Sequence, residues 1–504
     1  MKGTSMINDG YLLGLDIGSS SIKASLLDIV TGQSAASATS PATEMQIIAE
    51  KTGWAEQHPE SWWENVVAAI AMLRAQSGVD LRAVRAIGIS YQMHGLVMVD
   101  KDGKPLAPSI IWCDSRAVAI GEKAMKDIGK KKCLSRLLNS PGNFTASKLK
   151  WVKDNRPNIF KKIFKIMLPG DYIAMKLTGD IATTPSGLSE GIMWDFQKRD
   201  LATFVLDHYG IDPELIPRRV PTFSVQAAVT VAAAAELGIA AGTPVAYRAG
   251  DQPNNALSLN VLKPGEIAAT AGTSGVVYGV ADTPRYDPAC RVNTFAHVNY
   301  TADSPRYGVL LCLNGTGILN RWLRDAVGGS LDYGQMNELA QSAPAGCDGL
   351  MVFPYGNGAE RTLENRNLHA SVQGLDFSRH TRAHLLRAAQ EGIVFALRYG
   401  LDVMRTTGVA PQVVRAGHAN MFLSPLFAEA FATVANARVE LYNTDGAQGA
   451  ARGAGMGAGI YRSAKEAFSN LRIIRTIKPN RSSRNAYEAA YSAWKKALER
   501  QIED

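Results

Sequence analysis

An α/β fold in two related halves is predicted by three features of this sequence: its length, a pair of similar glycine-hydroxyl hairpins, and lone carboxylates set near them. At 504 residues the chain exceeds what one core usually holds, so two domains of about 250 residues are expected, here 1–256 and 257–504. Leu13, Leu15 and Ile17 alternate up to the turn Gly18-Ser19-Ser20-Ser21, and Ile22, Ala24 and Leu26 alternate away from it, as in a hairpin. A second hairpin runs from Ile267 to Thr270, turns through Gly272-Thr273-Ser274-Gly275 and continues from Val276 to Val280. One such turn alone reads as an ordinary tight hairpin. Glycines and hydroxyls also let backbone N–H groups close around phosphate oxygens. Two copies, at 18 and 272, suggest two halves facing one another with a nucleotide between them.

The acids follow from the same two places. Asp16 stands on the strand edge beside the first turn, where it either caps the turn or holds Mg²⁺ through retained waters while the metal bridges phosphate oxygens. Asp251 lies in the stretch Tyr247 to Gly275, at the opposite end from the second turn.

Composition narrows the class. The chain is 46% hydrophobic and 20% charged, with no apolar run near the 18 residues that would cross a membrane. Residues Met1 to Gly10 read as a polar lead-in with a second candidate start at Met6, not as a secretory signal. Five scattered cysteines without a C-x-x-C pair argue against a disulfide framework and for a reducing cytoplasm. Net charge is +8, but no nucleic-acid motif or extended basic stripe accompanies it. The excess is read as a solvated surface that tolerates anionic ligands.

Along the chain, His58 to Gly78 sets Trp62, Val66, Ile70 and Leu73 at helical spacing before a glycine stop, which predicts a core helix. Val84 to Ser90 is a strand that delivers Tyr91-Gln92-Met93-His94-Gly95 into a loop, followed by the apolar Leu96 to Val99. His94 there is either a structural histidine or a ligand contact. Ile110 to Arg116 ends on Asp114 and Arg116, which suit either hydroxyl recognition in a cleft or a structural ion pair. Asn143 to Arg156 is an amphipathic helix with Thr145 or Ser147 as its cap. Gly170-Asp171-Tyr172 opens a short helix, and Ser186 to Gly191 reads as a loop. Thr283 to Pro305 is a long polar connection, Asp332 to Gly346 a helix, and His384 to Thr407 a long buried helix stopped by Gly408. Val413 begins a strand that enters the turn Gly417-His418-Ala419-Asn420 and a helix starting near Ser424. Gly453-x-Gly455-x-x-Ala458 imitates a dinucleotide fingerprint, yet it lies inside a helix following Asp445 with no strand immediately before it. Small residues for close helix packing account for it better. The final helix, Tyr487 to Ile502, puts Tyr487, Tyr491, Trp494 and Leu498 on one face.

With these pieces in place the chain resembles the FGGY carbohydrate kinases, from about Leu12 to the final helix. The first hairpin is similar to the family's phosphate-1 loop, Gly272 to Gly275 to its phosphate-2 loop, and Arg415 to Asn420 to its adenosine turn. Thr145-x-x-Lys148-Leu149-x-Trp151 and Val372-x-Gly374-Leu375 through Glu391 resemble the two family signatures, while Asn143, Gln390, Ala416 and His418 depart from the usual pattern. Within the family, Gly53-Trp54-x-Glu56-Gln57-x-Pro59 and Gln92-Met93-His94-Gly95 are most similar to the xylulose kinases, although Cys113 and Gln252 stand where asparagine is usual.

The resemblance implies two ribonuclease H-like domains of the actin, hexokinase and Hsp70 type with a cleft between them, and a hinge near Asn255 to Pro264. It implies ATP and Mg²⁺ as cofactors, a small sugar as substrate, no nucleic acid or membrane partner, and a homodimer as a common assembly. Asp251 would be the catalytic base, with Gln92, Met93, His94, Asp114 and Gln252 beside it on the sugar. Gly18, Ser19, Ser20, Ser21, Lys23, Gly272, Thr273, Ser274, Gly417, His418 and Asn420 would hold ATP, and Asp16 the metal. The implied reaction converts D-xylulose to D-xylulose 5-phosphate. Another ketose, a polyol or an aldonate is the alternative substrate, and an actin-like or Hsp70-like nucleotide switch the remoter alternative.

Overall fold

The computed structural model describes residues 9–503, so the reading of Met1 to Gly10 falls almost wholly outside the described residues. Two compact units interleave along the chain. One comprises the residues up to Asn260 together with Phe295–Tyr307 and Thr444–Leu471, and the other Val261–Thr294, Gly308–Asn443 and the residues from Arg472 on.

The first unit is built on a six-stranded sheet in the order Phe223–Ala228, Pro244–Gly250, Val84–Tyr91, Tyr11–Ile17, Ile22–Asp28, Ser34–Ser40. The predicted first hairpin is present, with Leu13 opposite Leu26 and Ile17 opposite Ile22. Tyr11–Ile17 and Val84–Tyr91 run parallel, as do Val84–Tyr91 and Pro244–Gly250. The alternating residues Leu13, Leu15, Ile17, Ile22, Ala24 and Leu26 share one buried cluster with Trp62, Val66, Ile70 and Leu73 of the helix Pro59–Ser77. Each such large side chain contributes roughly 1.5–3 kcal/mol on burial. The helix stops where expected, at Gly78 with φ +65°.

Strand residues of opposite parity point to the other face, which the helix Gly446–Gly457 covers. A Cβ on Gly14 would stand 1.8 Å from the Ala447 carbonyl oxygen, one on Gly88 2.0 Å from that of Ala450, and one on Gly453 2.5 Å from the Tyr247 ring. Backbone meets backbone at Gly14 and Gly88 and an aromatic ring at Gly453, and only glycine leaves room. This is the close packing the small-residue stretch predicted. Asp445 caps the helix by accepting from the Gln448 N–H at 2.9 Å.

The second unit repeats the plan on a seven-stranded sheet. Ile267–Ala271 and Gly275–Ala281 form the second predicted hairpin, and Ile267–Ala271 runs parallel to Val413–Gly417, itself parallel to Arg438–Tyr442. The long helix Arg382–Thr406 and the final helix Arg484–Glu503 are present, the latter burying Tyr487, Tyr491, Trp494 and Leu498. No helix among the described residues is long and apolar enough to cross a membrane.

Some local expectations fail. Thr145 is the first residue of the helix Thr145–Asn155 and does not cap it; Phe144 holds the cap position without a side-chain bond. The two hydroxyls serve tertiary contacts instead, Ser147 with Tyr209 at 2.8 Å and Thr145 with the Gly95 carbonyl at 3.4 Å. Ser186 to Gly191 is not a loop, because Pro185 and the capping hydroxyl of Thr184 start a helix, Pro185–Glu190. A strand, Asn293–Ala296, interrupts the polar connection Thr283 to Pro305, and the helix begun by Asp332 ends at Gln341.

Candidate active site

Three parallel strands of the first unit end together. Ile17 pairs with Tyr91 and Tyr91 with Gly250, so Gly18, Gln92 and Asp251 leave the sheet side by side at its carboxyl edge. Ligands of α/β sheets bind at that edge.

Asp16, one residue before the edge, has Lys23 and Ser90 as its strand neighbours. Its carboxyl abuts Gly446, where a Cβ would stand 2.3 Å from Oδ2. Asp445 lies close by, paired with Lys23 at 3.4 Å. Burial raises the Asp16 pKa and Asp445 adds to the rise, while Ser90 and Lys23 pull the other way. Asp251 opens the helix Asp251–Ser258 directly after Gly250. Its carboxyl is pushed up to about 7, first by burial and then by the negative charge of Asp16. Asn254, one turn on, donates to the Gly446 carbonyl at 2.8 Å and ties this helix to the one behind Asp16.

The donor set tests which metal suits the site. Asp445 and Asp251 are the carboxylates close enough to act on Asp16 or be acted on by it, and no group of three metal-ligating side chains occurs among the described residues. That set fits Mg²⁺, which keeps several waters and leans on one or two carboxylates and on phosphate oxygens. It does not fit a metal caged wholly by protein.

The loop after Val84–Tyr91 carries the next predicted residues. The Gln92 N–H donates to the Ile17 carbonyl at 2.8 Å, while its buried side-chain oxygen has no partner. Met93 packs on Gly250, its Cγ 2.6 Å from where a Cβ would be. His94 sits at φ +62°, with Nδ1 2.9 Å from the Glu190 carbonyl and its ring edge-on to Phe144 at 4.7 Å. Gln252, after Asp251, also has a buried side-chain oxygen without a partner. Native interiors rarely leave such acceptors unpaired, and here they gather at one sheet edge.

Asp114 forms a buried ion pair. It is fully buried; Arg116 grips it with Nε and Nη2 at 2.7–3.0 Å, and the Ala55 N–H donates to it at 2.6 Å. Arg116 also reaches Glu56 at 2.6 Å.

The first turn is pinned from outside. Gln57 donates to the Ser19 carbonyl at 2.7 Å, Met45 to that of Ser20 at 2.8 Å, and the Gly18 N–H closes onto Ser21 at 3.1 Å. In the second unit, Ala271 and Gly275 close the other turn around Gly272, Thr273 and Ser274. The helix Gly317–Ala326 starts against it, its Gly317 and Ile318 N–H groups donating to the Gly272 and Thr273 carbonyls at 2.8 and 3.2 Å. Asn420, exposed and at φ +55°, stands beside Gly272, and the His418 N–H donates to the Tyr442 carbonyl at 2.8 Å. Gly417 ends the strand that delivers both.

Two residues that sequence reasoning gave no role belong to the first group. Glu190 is 1% exposed, its two carboxyl oxygens lack partners, and one lies 2.4 Å from where a Gly250 Cβ would be. Burial, then Asp251, holds its pKa well above the usual carboxylate range, which favours the neutral form. Lys148 is fully buried beneath the His94 loop. Only its place in the signature stretch marked it in the sequence.

Comparison with known proteins agrees with this architecture. Residues 11–258 match the N-terminal domain model of the FGGY family of carbohydrate kinases, and residues 267–460 match its C-terminal domain model. The chain is 28% identical over 502 residues to a xylulose kinase of Bacillus subtilis (strain 168), covering 96% of each protein. It is 29% identical over 493 residues to the L-xylulose/3-keto-L-gulonate kinase of Escherichia coli (strain K12), again covering 96% of each. The crystal structure of xylulose kinase from Rhodospirillum rubrum superposes with a TM-score of 0.86 at 27% identity, covering 98% of this chain and all of that one. Two hairpin-bearing sheet units and both domain models place the chain in the FGGY family of carbohydrate kinases, as an ATP-dependent sugar kinase.

Proposed function

We propose that this chain transfers the γ-phosphoryl group of ATP to a hydroxyl of a ketopentose, with D-xylulose as substrate and D-xylulose 5-phosphate as product. One observation carries the assignment of the base. Asp251 stands at the carboxyl edge of the sheet with its carboxyl pushed up to about 7. A sugar hydroxyl is too weak an acid to attack phosphorus unaided, and a carboxylate tuned near the working pH is both ionised and able to take its proton. Asp251 fills that role in this reading.

Bound Mg²⁺-ATP supplies the phosphoryl group and the cation that spreads its charge. Asp16 is the residue assigned to the metal. Gly18, Ser19, Ser20, Ser21 and Lys23 are assigned to phosphate oxygens, as are Gly272, Thr273 and Ser274, and Gly417, His418 and Asn420 to the adenosine. Gln92, Met93, His94 and Gln252 orient the sugar. Asp114 serves them indirectly, by clamping the segment that carries Cys113.

The names carried by similar proteins support a xylulose as acceptor, and one of them favours a second reading, a different ketose such as L-xylulose. The test is ADP release with Mg²⁺-ATP against D-xylulose, L-xylulose, other ketopentoses, glycerol, polyols and gluconate, beside a sugar-free control. D-Xylulose is expected to give the highest kcat/KM. Preference for another sugar would move the substrate and keep the mechanism, and turnover that no sugar accelerates would overturn the reading in favour of a nucleotide switch.

A further inference from the structure

Lys148 lies in the helix Thr145–Asn155, fully buried, and forms no ion pair among the described residues. Its Nζ donates to two backbone carbonyls, that of His94 at 2.9 Å and that of Ile111 at 2.8 Å. A buried ammonium without a carboxylate partner is expensive, and an apolar side chain of the same length would pack there at lower cost. Burial accordingly pulls its pKa down to about 7, with Asp114 opposing the fall. What the amine does must therefore reside in the two carbonyls it holds.

Those carbonyls belong to two separate loops. His94 occupies the left-handed region at φ +62°, a conformation that costs a non-glycine residue free energy and persists only where surroundings enforce it. The enforcing contacts are visible: Lys148 on its carbonyl, the Glu190 carbonyl at Nδ1, and Phe144 and Phe295 against the ring at 4.7 and 5.5 Å. Ile111 precedes Trp112 and Cys113, the segment clamped by Asp114 and Arg116.

We propose that Lys148 is a positioning residue for the sugar, joining the His94 turn to the Ile111–Cys113 segment so that both present one fixed wall to the substrate. The proposal rests on the reading that Met93 and His94 contact the sugar. Lys148 touches neither substrate nor reacting atoms, and works through the backbone of His94.

The test compares wild type, Lys148→Met and Lys148→Ala, using the sugar that wild type turns over best, with folding checked by thermal melting. Loss of two buried hydrogen bonds predicts a rise in the sugar KM of about tenfold to a hundredfold in both variants, with the KM for ATP close to wild type. Added ethylammonium is expected to restore sugar KM in Lys148→Ala and not in Lys148→Met, where the side chain fills the space. A folded variant with a wild-type sugar KM would overturn the proposal. So would an equal rise in both KM values, or a defect in Lys148→Ala that ethylammonium leaves unrepaired, since packing would then be the cause. A wild type that phosphorylates no sugar would instead remove the kinase reading, which keeps the two failures apart.

Discussion

Replacing Asp251 with asparagine keeps its shape and removes the base. If Asp251 takes the sugar proton, kcat falls about 10²–10⁴-fold while affinity for a non-hydrolysable ATP analogue, measured by calorimetry, stays near wild type. The pH profile is a second check. The base works ionised, so kcat/KM for the sugar rises with pH and levels off above an apparent pKa of about 7 or lower. A cation beside Asp16 removes one of the two causes of the rise and moves the limb down; a profile without an acid limb would count against the assignment. Glu190 behaves differently. Burial and Asp251 favour its neutral form, which glutamine mimics, so Glu190→Gln is expected to melt close to wild type, which differential scanning calorimetry would show. Asp16 was legible in the sequence because a strand-and-turn pattern flanks it, whereas Asp251 stood out only as a lone carboxylate, the strand Pro244–Gly250 that delivers it giving no such pattern. Glu190 was not legible, because a glutamate among glycines and serines gives no sign of its burial. For Asp114 the sequence left two roles open. Its partner Arg116 was in view, but the Ala55 N–H that completes its site arrives from far along the chain.

The elements tell the same story at larger spacing. Both hairpins were readable, since alternation and a glycine-hydroxyl turn are local properties. The helix Pro185–Glu190 is masked in the sequence because its glycine and serines resemble a loop, and the cap Thr184 is one more hydroxyl in a hydroxyl-rich region. The helix Gly446–Gly457 was legible as a packing helix, but not the surface it packs on. Its contacts predict a sharp cost: Gly14→Ala drives a methyl group into the Ala447 carbonyl. Overpacking typically costs about 1–3 kcal/mol, and a backbone neighbour yields less than a side chain. Urea unfolding should show a loss at or above that range. Asp445→Ala removes a helix cap and should cost about 1 kcal/mol.

For the molecule as a whole, stability has its own pH dependence, and one residue of the second unit makes it measurable. Burial pushes Glu360 up to about 8, although it accepts from the Asn314 N–H at 2.8 Å. Between about pH 4.5, where an unfolded glutamate titrates, and about 8, the folded chain holds a proton that the unfolded chain has lost. This contribution to stability is therefore complete below that window and is lost as pH rises through it, by an amount on the order of a few kcal/mol. Glu360→Gln should flatten the change in urea midpoint between the two ends of the window; an unchanged slope would mean that the group titrates normally.

The helix Gly446–Gly457 also sets a timetable for biosynthesis. A ribosome releases the six strands of the first sheet well before it makes the helix that covers them. At about 5–20 residues per second the face around Gly14 and Gly88 waits bare for roughly ten to forty seconds. The nascent first unit thus exposes that face until about the last eighth of the chain is made. A fragment ending at Asn260 should aggregate when expressed alone and gain solubility when the segment Thr444–Leu471 is supplied with it.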